Sequence, residues 1–201
     1  MSFNDLDYQW FQWINQYADS VAVLNPIMRF LAQDAEYLFY LGVIVYWFTR
    51  RNDNRRMVAQ ALLSACVSLA VSGIIGHFFY RDRPFVTHHV LQLIAHPANA
   101  SFPSDHATGA FVIATSIWLY HRKAGKVWLA LAACIAVSRV WTGVHYPTDV
   151  LAGALLGLLI AVCMHQWLKS STRMQAWLSA CITIYEKIEM KVWPRTKKHS
   201  Y

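Results

Sequence analysis

Charge is scarce in this chain: Asp, Glu, Lys and Arg make up 14% of its 201 residues, against about 25% in an average soluble domain. That scarcity, beside nine Trp, ten Tyr and ten Phe, excludes a disordered chain, a coiled coil and a polar binding module. Cysteine is equally sparse. Cys66, Cys134, Cys163 and Cys181 lie far apart in apolar runs, with no CxxC or metal-ligand spacing. A disulfide framework is thereby excluded, and buried apolar thiols are expected. The N-terminus lacks the basic start, apolar run and small-residue cleavage site of a signal peptide. There is no internal repeat and no low-complexity segment. What remains is apolar sequence in long stretches, and it makes the chain a polytopic membrane protein.

A membrane-crossing helix needs roughly 20 mostly apolar residues. Residues 57–80 contain no Asp, Glu, Lys or Arg and form the clearest span. Residues 150–168 are also uncharged and carry Gly153 and Gly157, spaced for close helix packing. Shorter runs at 107–120 and 127–144 give two more spans, the latter holding Arg139. The earliest run, 35–48, has Glu36 in its first turn. The expected fold is all-α, a membrane bundle of about five transmembrane helices with interfacial helices at both ends. Residues 1–33 read as the first of these, because Trp10, Phe11, Trp13, Ile14 and Tyr17 recur at helical spacing among polar residues. Residues 169–201 read as a basic amphipathic tail.

Lys and Arg cluster in three places: 49–56 (Arg50, Arg51, Arg55, Arg56), 121–126 (Arg122, Lys123, Lys126) and the tail after Leu168 (Lys169, Arg173, Lys187, Lys191, Arg195, Lys197, Lys198). These alternate correctly with five spans, so all three are expected in the cytoplasm, C-terminus included. The opposite face then receives 81–105 and 143–148. On this reading the net charge of +7 reflects topology and contact with membrane lipids, not binding of nucleic acid.

The polar residues that do not fit an apolar span all fall at that opposite face. Arg83-Pro84 follows the second span, Ser101-Phe102-Pro103-Ser104-Asp105-His106 opens the third, Ser138-Arg139 closes the fourth, and His145 and Asp149 straddle the start of the fifth. Ionisable residues beside spans are costly and mark function. Two arginines offer permanent, bidentate donors for phosphate oxygens. Pro103-Ser104-Asp105-His106 reads as a helix start, where free N–H groups favour an anion. His145, four residues before Asp149, reads as a nucleophile or base with an orienting carboxylate, and His106 as a group that protonates a leaving oxygen. Singly, each has a plainer reading: Arg83 pairing with Asp82 on the surface, His106 capping a helix, Arg139 reaching to the interface. His88, His89 and His96 lack metal-binding spacing, and no motif asks for a metal or another cofactor.

The combined pattern resembles the type-2 phosphatidic-acid-phosphatase superfamily, whose motifs are Lys-x6-Arg-Pro, Pro-Ser-Gly-His and Ser-Arg-x5-His-x3-Asp. The third is complete from Ser138-Arg139 through His145 to Asp149, and the second departs only in Asp105. The first keeps Arg83-Pro84 but has Gly76 in place of its Lys. Ser-Phe-Pro-Ser-Asp-His, the short chain and the small outer loop resemble the bacitracin-resistance type of undecaprenyl-diphosphatase. That resemblance implies a lipid-phosphatase unit over residues 34–168. It implies hydrolysis of a polyprenyl diphosphate at the outer face of a bacterial cell membrane, without a cofactor. His145 would form a phosphohistidine, Asp149 would orient it, and His106 would serve as acid and then base. Arg83, Ser104 and Arg139 would bind the phosphoryl group. His77 or Arg81 would stand in for the missing Lys, and Arg81, His88 or His89 would neutralise Asp105 at the rim of the substrate site. Phosphatidylglycerophosphate or phosphatidic acid is the alternative substrate, and a non-catalytic anionic-lipid binding or transport protein the alternative class.

Overall fold

The computed structural model describes residues 3–194, so Arg195, Lys197 and Lys198 of the expected basic tail lie outside the described residues. The elements are α1 (Phe3–Asn15), α2 (Tyr17–Ser20), a 3-10 turn (Ala22–Leu24), α3 (Asn25–Gln33), α4 (Glu36–Phe48), α5 (Asn52–Phe78), α6 (Pro84–Thr87), α7 (Asp105–Tyr120), α8 (Arg122–Trp141), α9 (Pro147–Ser170) and α10 (Thr172–Val192). No strand occurs among the described residues. Helices α5, α8 and α9 are long and apolar enough to cross a membrane, while α4 is a shorter apolar helix.

Helix α7 has only 16 residues, yet it is the centre of the bundle, packed against α5, α8 and α9. Its Ala107, Val112, Ala114 and Ile117 are buried, and so are Thr108, Thr115 and Ser116. Close approach of α9 depends on its glycines. A Cβ on Gly153 would stand 2.5 Å from the Ser104 carbonyl oxygen, and one on Gly157 would stand 2.6 Å from that of Thr108. Both neighbours are backbone, so the helices must part to admit a methyl group. Gly153→Ala is therefore expected to cost about 1–3 kcal/mol, as overpacking does. It should lower the thermal midpoint in detergent, and turnover with it, because the displaced carbonyl belongs to Ser104, the residue immediately preceding α7.

Leu151, Leu155 and Leu159 form an exposed stripe on the outer side of α9, as a helix facing lipid requires. The cysteines correct the sequence reading. Cys66, Cys134, Cys163 and Cys181 are all exposed, on α5, α8, α9 and α10. With hydrocarbon outside the bundle, an apolar thiol gains little by turning inward.

The three basic segments meet at one end of the bundle. Arg55, fully buried, donates to Glu186 Oε1 at 2.7 Å and Glu189 Oε2 at 2.6 Å on α10. Arg56 donates to Ser179 at 2.6 Å, and Asn54 lies 2.7 Å from the ring of His121. The last helix thus carries, opposite its lysines, an acidic and apolar face (Glu186, Glu189, Leu178, Ile182) docked on the bundle. At the other end, α1 packs on α8 and α9. Phe11 is buried edge-on to Tyr146 with ring centroids 5.7 Å apart, and Asn15 Nδ2 donates to the Leu91 and Trp141 carbonyls at 3.0 and 2.8 Å.

Candidate active site

Between α8 and α9 the chain makes a tight turn. Gly143 adopts φ +82°, and a Cβ there would stand 2.6 Å from the Leu91 carbonyl oxygen, so this position needs glycine on both counts. Pro147 then opens α9 at its first position, as its fixed φ favours. Asp149, in the first turn, accepts from the Tyr146 N–H at 2.9 Å through Oδ2. Held this way, His145 is almost fully buried, with Nδ1 3.6 Å from Asp149 Oδ2.

Arg83 fixes the tautomer. Its Nη1 lies 3.0 Å from His145 Nε2, and a guanidinium can only donate. Nε2 therefore carries the lone pair and Nδ1 the proton, facing Asp149 and Ser101 Oγ, the latter 3.4 Å away. Burial pushes the His145 imidazole down to about 4; the hydrogen bond to Asp149 opposes this, and the charges of Arg139 and Arg83 add to it. The ring is neutral at physiological pH, with its lone pair directed at a cation. Arg83 itself is buried and does not pair with Asp82. Its Nε donates to Asn99 at 3.0 Å, Nη1 to the Val144 carbonyl at 2.9 Å and Nη2 to that of Ala100 at 3.2 Å.

Arg139 is buried at the end of α8. Nη1 donates to the Ala32 carbonyl at 2.6 Å, whereas Nε and Nη2 have no partner among the described residues. The hydroxyl of Ser104, the residue preceding α7, is likewise buried and without a partner among the described residues. Leaving a buried polar group unmade costs about 1–3 kcal/mol, so these atoms at one site call for a ligand rich in acceptor oxygens. Ser138, beside Arg139, instead turns its hydroxyl back to the Ile135 carbonyl at 2.7 Å. His106, in the first turn of α7, is partly exposed, with Nε2 3.6 Å from Glu36 Oε2. A cavity of about 360 Å³ runs from His106 and Asp105 to Glu36, Tyr40, Leu69 and Ile113.

Arg83, Ser104, His106, Arg139, His145 and Asp149 are thus brought to one end of the bundle. Arg81 and Asp105 also lie at this end, but they do not pair with each other. Arg81 Nη1 lies 3.0 Å from Asp149 Oδ1 and 2.7 Å from Asp7 Oδ2, so it does not neutralise Asp105. Asp105 instead accepts from Ser72 of α5 at 2.6 Å. Neither His88 nor His89 takes that role: His88 stacks on Tyr8 with centroids 3.7 Å apart, and His89 lies beside α1. His77, the other candidate for the family Lys, is exposed against Phe78. At position 76 itself, a Cβ would stand 3.1 Å from the Phe102 carbonyl oxygen. Three contributors went unassigned in the sequence: Asp7, Asn99 and Ser101. Ser101 Oγ donates to Asp149 Oδ2 at 2.5 Å; its sequence signal was its place at the head of the 101–106 run, which gave it no role.

Residues 57–173 match the PAP2 superfamily. The chain belongs to that superfamily. Over 98% of its length it is 39% identical to the bacitracin transport permease protein BcrC of Bacillus licheniformis, covering 96% of that protein. It is 31% identical to the undecaprenyl-diphosphatase BcrC of Bacillus subtilis, over 96% of this chain and 97% of the other. Among solved structures, that of Aquifex aeolicus LpxE superposes with a TM-score of 0.69 at 25% identity, over 83% of this chain and 99% of that one.

Proposed function

We propose that the chain is an undecaprenyl-diphosphate phosphatase, releasing inorganic phosphate and returning the polyprenyl monophosphate carrier for cell-wall polymers. Depleting the diphosphate to which bacitracin binds would confer resistance to that antibiotic. The near full-length likeness to BcrC proteins supports the substrate. The observation that carries the chemistry is the His145 lone pair aimed at Arg83, beside the unpartnered donors of Arg139.

In the first step, His145 Nε2 attacks the terminal phosphorus and the bond to the bridging oxygen breaks. The proton stays on Nδ1, where the Asp149 carboxylate balances the positive charge the ring gains, and His106 gives its proton to the departing lipid phosphate. Arg83, Arg139 and Ser104 hold the equatorial oxygens, where charge gathers in the transition state. In the second step His106 takes a proton from water, whose oxygen displaces the phosphoryl group from His145. Residues 34–168 carry this lipid-phosphatase unit, with 1–33 and 169–201 as flanking membrane-surface segments. The Lys/Arg pattern supports an active site on the outer face of a bacterial inner membrane, with a cytoplasmic C-terminus.

The test is phosphate release by purified protein from undecaprenyl diphosphate, phosphatidylglycerophosphate and phosphatidic acid. Turnover of the prenyl diphosphate above the other two supports the assignment. Preference for a glycerophospholipid would move the substrate, and absence of turnover on all three would leave a lipid-binding or transport protein.

A further inference from the structure

We propose that Asp7 of α1 is a positioning residue for the nucleophile, acting through Arg81 on the carboxylate that orients His145. This rests on the reading of His145 as nucleophile and adds a segment outside the family motifs to the same site. Asp7 is 1% exposed, and a carboxylate so deeply buried is costly unless paired and hydrogen-bonded. Its partners all belong to the site. Oδ1 accepts from the Thr148 N–H at 3.1 Å, a free donor at the start of α9, and Oδ2 accepts from Thr148 Oγ1 at 2.5 Å. Oδ2 also lies 2.7 Å from Arg81 Nη1.

Arg81 is therefore shared between two carboxylates. The same Nη1 lies 3.0 Å from Asp149 Oδ1 and 2.9 Å from Thr148 Oγ1, and the guanidinium stacks 3.7 Å above the Tyr146 ring. Asp149 must orient His145 and attract its Nδ1 proton, which demands that its charge not be consumed by a cation. With Asp7 in place, Arg81 is balanced from the far side. Without it, the whole charge of Arg81 falls on Asp149, and His145 becomes less basic and a poorer nucleophile. The other groups facing His145 are Arg83 from the loop between α5 and α6, His96 from the segment between α6 and α7, Arg139 from α8 and His106 from α7. None of them touches Asp7, so they stay constant in the comparison.

The experiment uses the full chain in detergent, with rapid-quench measurement of protein-bound phosphate and steady-state turnover of undecaprenyl diphosphate across pH. Asp7→Ala is expected to lower kcat by up to about 10²-fold, the scale of a small misplacement at a reacting centre, with KM unchanged. Because His145 must be neutral to attack, its reduced basicity moves the acid limb of phosphoenzyme formation to lower pH while the plateau falls. Asp7→Asn keeps an acceptor for Thr148 and loses only the charge, so it should show the same displacement of the limb with a smaller loss. The inference is overturned if a folded Asp7→Ala or Asp7→Asn protein has wild-type kcat, or if activity falls only with the amount of folded protein and the limb stays in place. Failure of the wild type to form any phosphohistidine overturns the nucleophile assignment itself, and this inference with it.

Discussion

His145→Ala abolishes release of phosphate from undecaprenyl diphosphate, a loss on the order of 10⁴-fold or more, the scale on which removal of a nucleophile acts. Wild-type protein denatured in alkali during turnover should carry phosphate on histidine, labile to acid, and the variant should carry none. Nε2 accepts from Arg83 at 3.0 Å, so the lone pair already points at the cation that an incoming phosphate would meet. Burial and the neighbouring arginines push His145 down to about 4, against the opposing pull of Asp149. The nucleophilic form is the neutral one, so the acid limb of phosphoenzyme formation should fall as pH drops through about 4, while the fall toward higher pH belongs to His106, which must hold the proton it gives. Substantial turnover by the variant, or a wild type that never accumulates bound phosphate, would mean that water attacks directly.

The parts of this site legible in the sequence are those fixed by local spacing. Asp149 sits in the first turn after Pro147 and bonds the Tyr146 N–H, so the interval from His145 encodes a helix start and its geometry follows. Ser104 and Asp105 were likewise readable as the beginning of α7, and Gly153 and Gly157 as a contact face. Partners remote in sequence were not readable. Asp7 reaches Thr148 across 141 positions, and Ser101 reaches Asp149 across 48; no periodicity announces either pair. Arg81 was placed at the right end of the bundle with the wrong carboxylate. It meets the start of α9, whereas the Asp105 side chain turns to Ser72 on α5. Both carboxylates open a helix near Pro, so sequence offered no means of choosing between them. The cysteines failed for another reason: apolarity predicts burial only when water is outside.

His106→Ala should lower turnover of undecaprenyl diphosphate by about 10²–10⁴-fold, the usual cost of losing a general acid. The residue is in the first turn of α7 and half open to the cavity, its Nε2 3.6 Å from Glu36. Glu36 lies beyond hydrogen-bond distance of Nε2, and among the described residues neither ring nitrogen has a hydrogen-bond partner, so the ring is free to turn a nitrogen toward a leaving oxygen. A substrate that needs no proton on departure separates the two half-reactions. With 4-nitrophenyl phosphate, the variant should release nitrophenolate in a burst of one equivalent per protein, because the first step no longer requires an acid. The second step still needs a base for water, so phosphohistidine should accumulate and steady-state turnover stay slow. Wild type, by contrast, should turn the intermediate over and hold a smaller steady-state share of bound phosphate than the variant. Equal losses on both substrates, with no burst and no trapped phosphate, would assign His106 to holding the phosphate, alongside Arg83 and Arg139, and would leave the proton of the lipid product to come from water.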